Sequence, residues 1–546
     1  MIKQVYSLTL NEILKKYKKK SLIIITVIIF LVGIGYPILV RKMTRNINAV
    51  YEISYGFNIG QLQDQLKAVN DKTDLGKIQK SFLKSQLEVQ NLLLEVKANP
   101  TGWKEEEGNK YLTGLIEMDS LKLIQQGVNE AIILGEIPKG VNEKDIQTVL
   151  GTNKGEIDGK ISEINKSNNE IKTRIQNDDY LGYLKDDIKS KNKEITDLNK
   201  TLDALNKEEK KDGNVVLIQN QIKGINAQII NLKNDVKVEQ YRYDNKIPYT
   251  FNNWKSIALL EIQSNTRIVN EKIMTKGEYL STVNDGISYE NYEKVFNHNK
   301  EKAENTVKIN WYSLNHNVPP INSATGTRYS IDAGVAIFVI IIAVFGAVIA
   351  GGTVSNEFSK GTIRLLLIRP IKRWKILISK LLALLIISYI ILIISMIISM
   401  ISSGVIFGFK DMLEPVLKVV NGNVVEESYL ISLCGHLFFN SITIIFTICV
   451  SFCLSTVARS SAAAVAISII LFIGSFPATL VLLTKKCFWV ISSPIPYINL
   501  PAVPAINGID AQVLFKSNLG AIELLIISVI LIAISLVVFC KRDITN

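Results

Sequence analysis

Few side chains in this sequence are of types that do covalent or metal chemistry, and their spacing argues against both. His298, His316 and His436 are scattered, so no cluster has metal-ligand spacing. The five cysteines are Cys434, Cys449, Cys453, Cys487 and Cys540. All fall in or beside apolar runs, and none lies in the long polar block, so no disulfide framework is expected. Cys449 and Cys453 sit one helical turn apart without histidine or carboxylate partners, which is the pattern of packing residues. There is no Gly-x-Ser-x-Gly, no His-Glu-x-x-His and no paired carboxylates placed in a cleft. A phosphate-cradling loop needs Gly-Lys-Ser/Thr, whereas Gly76-Lys77 and Gly159-Lys160 both precede Ile. The chain is therefore expected to be no enzyme, with no cofactor of its own.

One stretch carries a different chemistry, that of non-covalent docking. It runs Glu357-Phe-Ser-Lys-Gly361-Thr362-Ile-Arg-Leu365-Leu366-Leu-Ile-Arg369-Pro370-Ile-Lys-Arg373-Trp-Lys-Ile-Leu-Ile-Ser-Lys380. Gly361 permits a turn, and Thr362 can cap a short helix over Ile363–Ile368. Pro370 ends that helix, since it has no backbone N–H to give. The leucines need a surface to bury against. A loop serving only to hold topology would need its basic residues and not its leucines.

The elements around this stretch are apolar runs. A bilayer core about 30 Å thick needs about 20 helical residues to cross it. Ser21–Val40, Ala333–Asn356, Leu381–Phe409, Ser428–Ala458 and Ser460–Thr484 contain no charge, and Ala521–Cys540 is broken only by Glu523. Six spans are expected, at 21–40, 332–356, 376–409, 428–457, 460–484 and 519–540. Residues 485–518, with Pro494, Pro496, Pro501 and Pro504, read as a re-entrant or interfacial segment on the outer side. His436, Asn440, Glu523, Ser402 and Ser403 are polar positions within spans, most of them near span ends, and no substrate-binding residue is assigned among them.

The net charge of +12 then acquires a location. Residues 1–20, the 353–380 stretch, Arg459 and the 541–546 tail together hold sixteen basic and three acidic residues. Those four segments alternate correctly for six spans with both termini cytoplasmic. Arg41, Lys42 and Arg45 oppose this assignment and are outnumbered. A nucleic-acid binder would instead stripe its basic residues along one soluble face. Residues 1–20 and the following run read as a signal anchor with no cleavage site. Ile2, Tyr6, Leu10, Ile13, Leu14 and Tyr17 recur at helical spacing there, giving an interfacial amphipathic helix. Abundant Lys, Asn and Ile fit an AT-rich, Gram-positive bacterium.

Residues 41–331 form one long block expected outside the cell and mainly helical. Residues 61–98 read as helix, while 99–108, 135–142 and 312–327 read as loops. Ile157, Ile161, Ile164, Ile171 and Ile175 step at coiled-coil intervals, and Leu184, Ile188, Ile195, Leu198, Leu202 and Leu205 continue them. The phase slips around Asp178–Gly182, so a bend is expected there. Asn206–Asn214 is a polar turn, and Ile218 to Val236 return. This predicts an antiparallel hairpin whose first limb, about 50 residues at ~1.5 Å per residue, reaches roughly 80 Å and whose return limb is shorter. Its stripes read as interhelix core, or as a surface for an extracellular partner through residues 155–240.

The ordered set Glu357, Gly361, Thr362, Leu365, Leu366, Pro370, Arg373 and Lys380 between two spans resembles the permease subunits of ABC type-2 exporters. The resemblance covers the layout of residues 1–40 and 333–546, and not the large loop. It implies an all-α fold, a six-helix transmembrane domain plus a coiled-coil-containing extracellular domain. It implies that residues 357–375 carry a coupling helix docked on cytoplasmic ABC ATPase subunits, which supply the ATP and Mg, and that 1–20 is the connecting helix. It also implies a second permease copy in the bilayer. Two alternatives remain: a cell-surface receptor or scaffold, and a mechanotransmitter working through the outer arm.

Overall fold

The computed structural model describes residues 2–17, 20–45, 47–99, 102–138, 154–209, 215–250, 253–282, 288–321, 326–362, 371–485, 487–508 and 516–541. They are overwhelmingly α-helical and form two compact units, Lys42–Asn270 and the remainder.

In the first unit to be described, the chain opens with α1 (Ile2–Tyr17) and α2 (Lys20–Arg45). Helices α3 to α10 belong to the other unit. The chain returns through α11 (Lys276–Thr282) and α12 (Tyr289–His316) to α13 (Thr327–Ser359) and α14 (Arg373–Phe407). Then come α15 (Tyr429–Ala458), α16 (Ser461–Thr484) and α17 (Ser517–Lys541). Six of these, α2 and α13 to α17, are long and apolar enough to cross a membrane. They are apolar on both sides. Phe338, Ile342, Leu384, Ile448, Phe472 and Leu524 meet inside, while Ile393, Ile397, Ile401, Ile470, Ile473 and Val529 face outward. A helix that is apolar all round needs an apolar surrounding on its outer face as well. This is a membrane protein.

Apolar tails give helices no hydrophobic reason to meet, so close backbone approach and polar contacts must hold them. Helix α13 supplies both. Ala347, Gly351 and Ser355 form a small-residue ladder against α15. Ser451 Oγ donates to the Ala347 carbonyl at 2.6 Å, and the Ser355 N–H donates to Ser455 Oγ at 3.0 Å. A Cβ on Gly351 would come within 2.6 Å of Val465. On α2, the Gly33 carbonyl accepts from Ser402 of α14 at 2.7 Å. Ser330 and Ser403 share a hydrogen bond, and Asn440 donates to the His436 carbonyl one turn back. Ser402 and Ser403, polar positions within a span, are thus engaged in helix packing.

Two features interrupt the helices of this unit. Strands β1 (Val416–Val420) and β2 (Asn423–Glu427) form an antiparallel hairpin turned by Asn421 and Gly422, both at positive φ. That pair is the signature of a type I′ turn. Residues 488–508 are 3-10 segments broken at Asn499, as the four prolines require. The Tyr497 ring covers Gly520, where a Cβ would lie 2.1 Å away.

The Lys42–Asn270 unit holds α3 (Ile47–Ala68), α4 (Asp74–Glu95), α5 (Trp103–Gln125), α6 (Glu130–Gly135), α7 (Lys154–Gln176), α8 (Tyr180–Glu209), α9 (Val215–Asp244) and α10 (Trp254–Asn270). Glu271 to Gly326, expected within the outer block, groups with the spans instead. The slip in the isoleucine phase coincides with a break in the helix, where Asp178 takes a left-handed φ of 54°. Ile157, Ile161 and Ile164 of α7 pack with Leu121 and Ile124 of α5. The hairpin is therefore α8 against α9, two limbs of 30 residues each, and not a long limb with a short return. Its antiparallel register is fixed by Lys191 bridging to Glu239 and by Tyr180 bonding the Lys246 carbonyl. Burial holds the Glu239 carboxyl above the usual range.

Candidate functional site

Described residues from the four basic segments come together at one end of the spans. Helix α13 ends there and α14 begins there. The two are joined through Lys380 Nζ, which lies 2.6 Å from Glu357 Oε1. Lys380 also reaches Glu12 of α1 at 3.3 Å, and Lys15 of α1 lies 3.7 Å from Glu357. Two cations and two carboxylates from three separate helices thus alternate in one cluster. Lys380 is 2 % exposed and Glu357 9 %. Isolated charges so deep would be prohibitive, and mutual pairing makes them tolerable.

Two more contacts seat α1. Lys16 donates to Thr353 Oγ1 at 2.9 Å, and that hydroxyl donates in turn to the Ile349 carbonyl. Lys375 donates to Gln4 Oε1 at 2.7 Å. The amphipathic spacing of α1 explains the geometry. Glu12 and Lys16 fall on its inner face, Gln4 is exposed, and Tyr6, Leu10 and Leu14 remain exposed on the other side. The remaining basic segments close the same end. The Arg459 guanidinium stacks 4.8 Å from the Phe358 ring, and Arg373 donates to the Cys540 carbonyl at the end of α17. A cation at a helix C-terminus is favoured by the helix dipole.

The expected docking residues divide as follows. Glu357 and Lys380 are brought into direct contact. Gly361 has φ of 67°, a left-handed conformation that follows the end of α13 and suits glycine. Thr362 Oγ1 donates back to the Glu357 carbonyl at 3.4 Å, so its hydroxyl closes the helix behind it. Arg373 opens α14. Leu365, Leu366 and Pro370, with the short helix expected over Ile363–Ile368, lie outside the described residues.

Sequence reasoning missed Glu12, Lys15, Lys16, Gln4, Thr353 and Lys375 as members of this junction. One signal was available: Glu12 is the lone acidic residue among six lysines in the first twenty positions. At this end two of the buried side-chain atoms without a hydrogen-bond partner among the described residues are Glu357 Oε2 and Arg459 Nε. A half-satisfied ionic cluster is costly at rest and is readily rearranged by a new partner. The junction joins α1 to the end of α13 and the start of α14 through side-chain contacts alone. Among the described residues no group of three or more His, Cys, Asp or Glu is placed to hold a metal.

At the far end of α13, about 50 Å away for a helix of 33 residues, stands a second charged node. Arg328 is 1 % exposed. Its Nε donates to Asp411 at 2.9 Å, and its terminal nitrogens donate to the carbonyls of Pro415 (2.6 Å), Glu414 (3.3 Å) and Pro319 (2.8 Å). The planar fork of a guanidinium suits such fixed acceptors. This node clamps the segment leading into the β-hairpin.

Comparison with known proteins supports the membrane half of the chain. A family described as "Protein of unknown function (DUF2705)" matches residues 297–545. The uncharacterized protein YhcI of Bacillus subtilis (strain 168) is 30% identical over 252 residues, which is 45% of this chain and 78% of YhcI. The uncharacterized membrane protein YdbK of the same organism is 29% identical over 212 residues, 38% of this chain and 78% of YdbK. No solved structure matches.

Proposed function

This chain belongs to the family of Bacillus subtilis YhcI, and from its six apolar helices and the segment Glu357–Lys380 we propose that it is the permease subunit of an ATP-driven exporter. Two copies form the membrane pathway, and separate cytoplasmic ABC ATPase subunits bind the loop between α13 and α14. Both termini and that loop face the cytoplasm of a multi-pass cell-membrane protein, and the Lys42–Asn270 unit lies outside. ATP and Mg belong to the partner, which explains why this sequence has no Walker loop.

The carrying observation is the junction Glu12–Lys380–Glu357–Lys15. It ties α1 to both helices that flank the basic, leucine-bearing loop. An ATPase pressing on that loop would move the ends of two spans and the interfacial helix as one body. The gathering of all four basic segments at this end fits a cytoplasmic face. The exposed apolar stripe of α1 fits the lipid interface.

Reconstitution with the ATPase tests this reading. Gly361→Pro or Leu366→Asp should insert normally yet remove the permease's effect on ATP hydrolysis. Hydrolysis that still responds to both variants would overturn it. A second reading, mechanotransmission, is favoured by one observation: the Lys42–Asn270 unit is compact by itself, with its own buried cluster of Trp103, Tyr183 and Leu184. In that case the same stroke would drive the outer arm and not a substrate.

A further inference from the structure

The Lys42–Asn270 unit contains a cleft of about 480 Å³ that the export cycle does not use. Its floor is one face of α4: Gln79, Phe82, Leu83 and Gln86 at helical spacing. Gln65 and Val69 from the end of α3 form one wall, and Glu136 stands opposite, just after α6. The chemistry of the lining is unusual for a surface. Four carboxamides, those of Gln65, Asn70, Gln79 and Gln86, surround an apolar floor, and Glu136 is a carboxylate at its edge. Gln79 Nε2 donates to Glu136 Oε2 at 2.9 Å, which fixes the carboxylate in place without neutralising it. No lysine or arginine pairs with Glu136 among the described residues.

We propose that this cleft binds a peptide segment bearing an amino group beside an apolar side chain. Each carboxamide both donates and accepts, matching the two groups of a peptide bond. Leu83, with Ala68, Val69 and Pro138 beside it, takes the apolar side chain, and Glu136 takes the ammonium. An anionic ligand would meet the Glu136 charge with nothing to offset it. The volume lies in the range of small-ligand sites. Two other hollows lack this combination. The one beside Lys16 between the spans holds about 20 Å³, room for about one water. The hollow of about 640 Å³ is lined by Ser162, Asn165, Asn169 and other polar residues along α7, with no apolar floor. The proposal stands independently of the exporter reading, because it uses no residue of the junction.

Calorimetric titration of the full-length protein in detergent tests it with three probes. Phenylalaninamide is cationic, N-acetylphenylalaninamide is neutral, and N-acetylphenylalanine is anionic. The cationic probe should bind saturably, the neutral one about tenfold more weakly, and the anion not at all. Glu136→Gln should bring the cationic and neutral probes to equal affinity. Gln86→Trp, a half-exposed position that fills the cleft, should abolish binding of both while leaving the thermal transition unchanged. The proposal is overturned if the cationic probe shows no saturable binding, if the wild type does not rank the probes in this order, or if their difference survives Glu136→Gln.

Discussion

The two ends of α13 are both held by buried charge, but by opposite designs. At Thr327–Asp332 a single guanidinium reaches one carboxylate and three backbone carbonyls, all fixed acceptors on neighbouring segments. At Thr353–Ser359 the partners are flexible lysine and glutamate side chains from α1, α13 and α14, and one carboxylate oxygen lacks a hydrogen bond among the described residues. Backbone acceptors cannot swing away, so the first end is a clamp. Side-chain pairs can exchange, since Lys15 and Lys380 both approach the same Glu357 oxygen. The contrast places rigidity at one end of the helix and the capacity for movement at the other.

Paired substitutions should separate the two designs most strongly. Arg328→Met removes four donors and should cost about 3–5 kcal/mol in thermal unfolding. Adding Asp411→Leu should restore little, because the three carbonyls stay without donors. Lys380→Met alone should cost about 3 kcal/mol, because the buried Glu357 keeps only the more distant Lys15 at 3.7 Å. Here the double variant Lys380→Met/Glu357→Leu should recover most of the loss, as apolar replacements of a buried pair often do. Equal recovery at both ends would break the comparison. A smaller effect belongs to Gly361→Ala, which should cost about 1 kcal/mol, because a left-handed φ disfavours a Cβ even where space is open. The smallest belongs to Lys15→Ala. Its side chain is more than half exposed, so denaturation should shift by less than about 1 kcal/mol.

The membrane half was legible because lipid imposes a simple demand, long uncharged helices, and each of the six helices satisfies it in sequence. Lys380 and Glu357 were legible as a motif but not as a contact. They are separated by 23 positions, and no local pattern shows that the end of α13 meets the start of α14. Lys16, Glu12 and Gln4 were harder, since their partners lie more than 330 positions away and no local pattern marks them. The α8–α9 hairpin was legible in its stripes and its break, while the change of partner at that break, from α5 to α9, was not. Periodicity reports that a face is buried and does not say against what. Asn421-Gly422 between two pairs of valines was a hairpin signal that the long apolar runs overshadowed.

Co-purification tests the central claim most directly. The full-length protein, extracted in detergent from the membranes of its own cell, should bring an ABC-type ATPase with it. Leu366→Asp should release that ATPase, whereas Lys380→Met should retain it with ATP hydrolysis no longer responsive to the permease. A wild-type protein that carries no ATPase, or a Leu366→Asp variant that keeps it, would contradict the account.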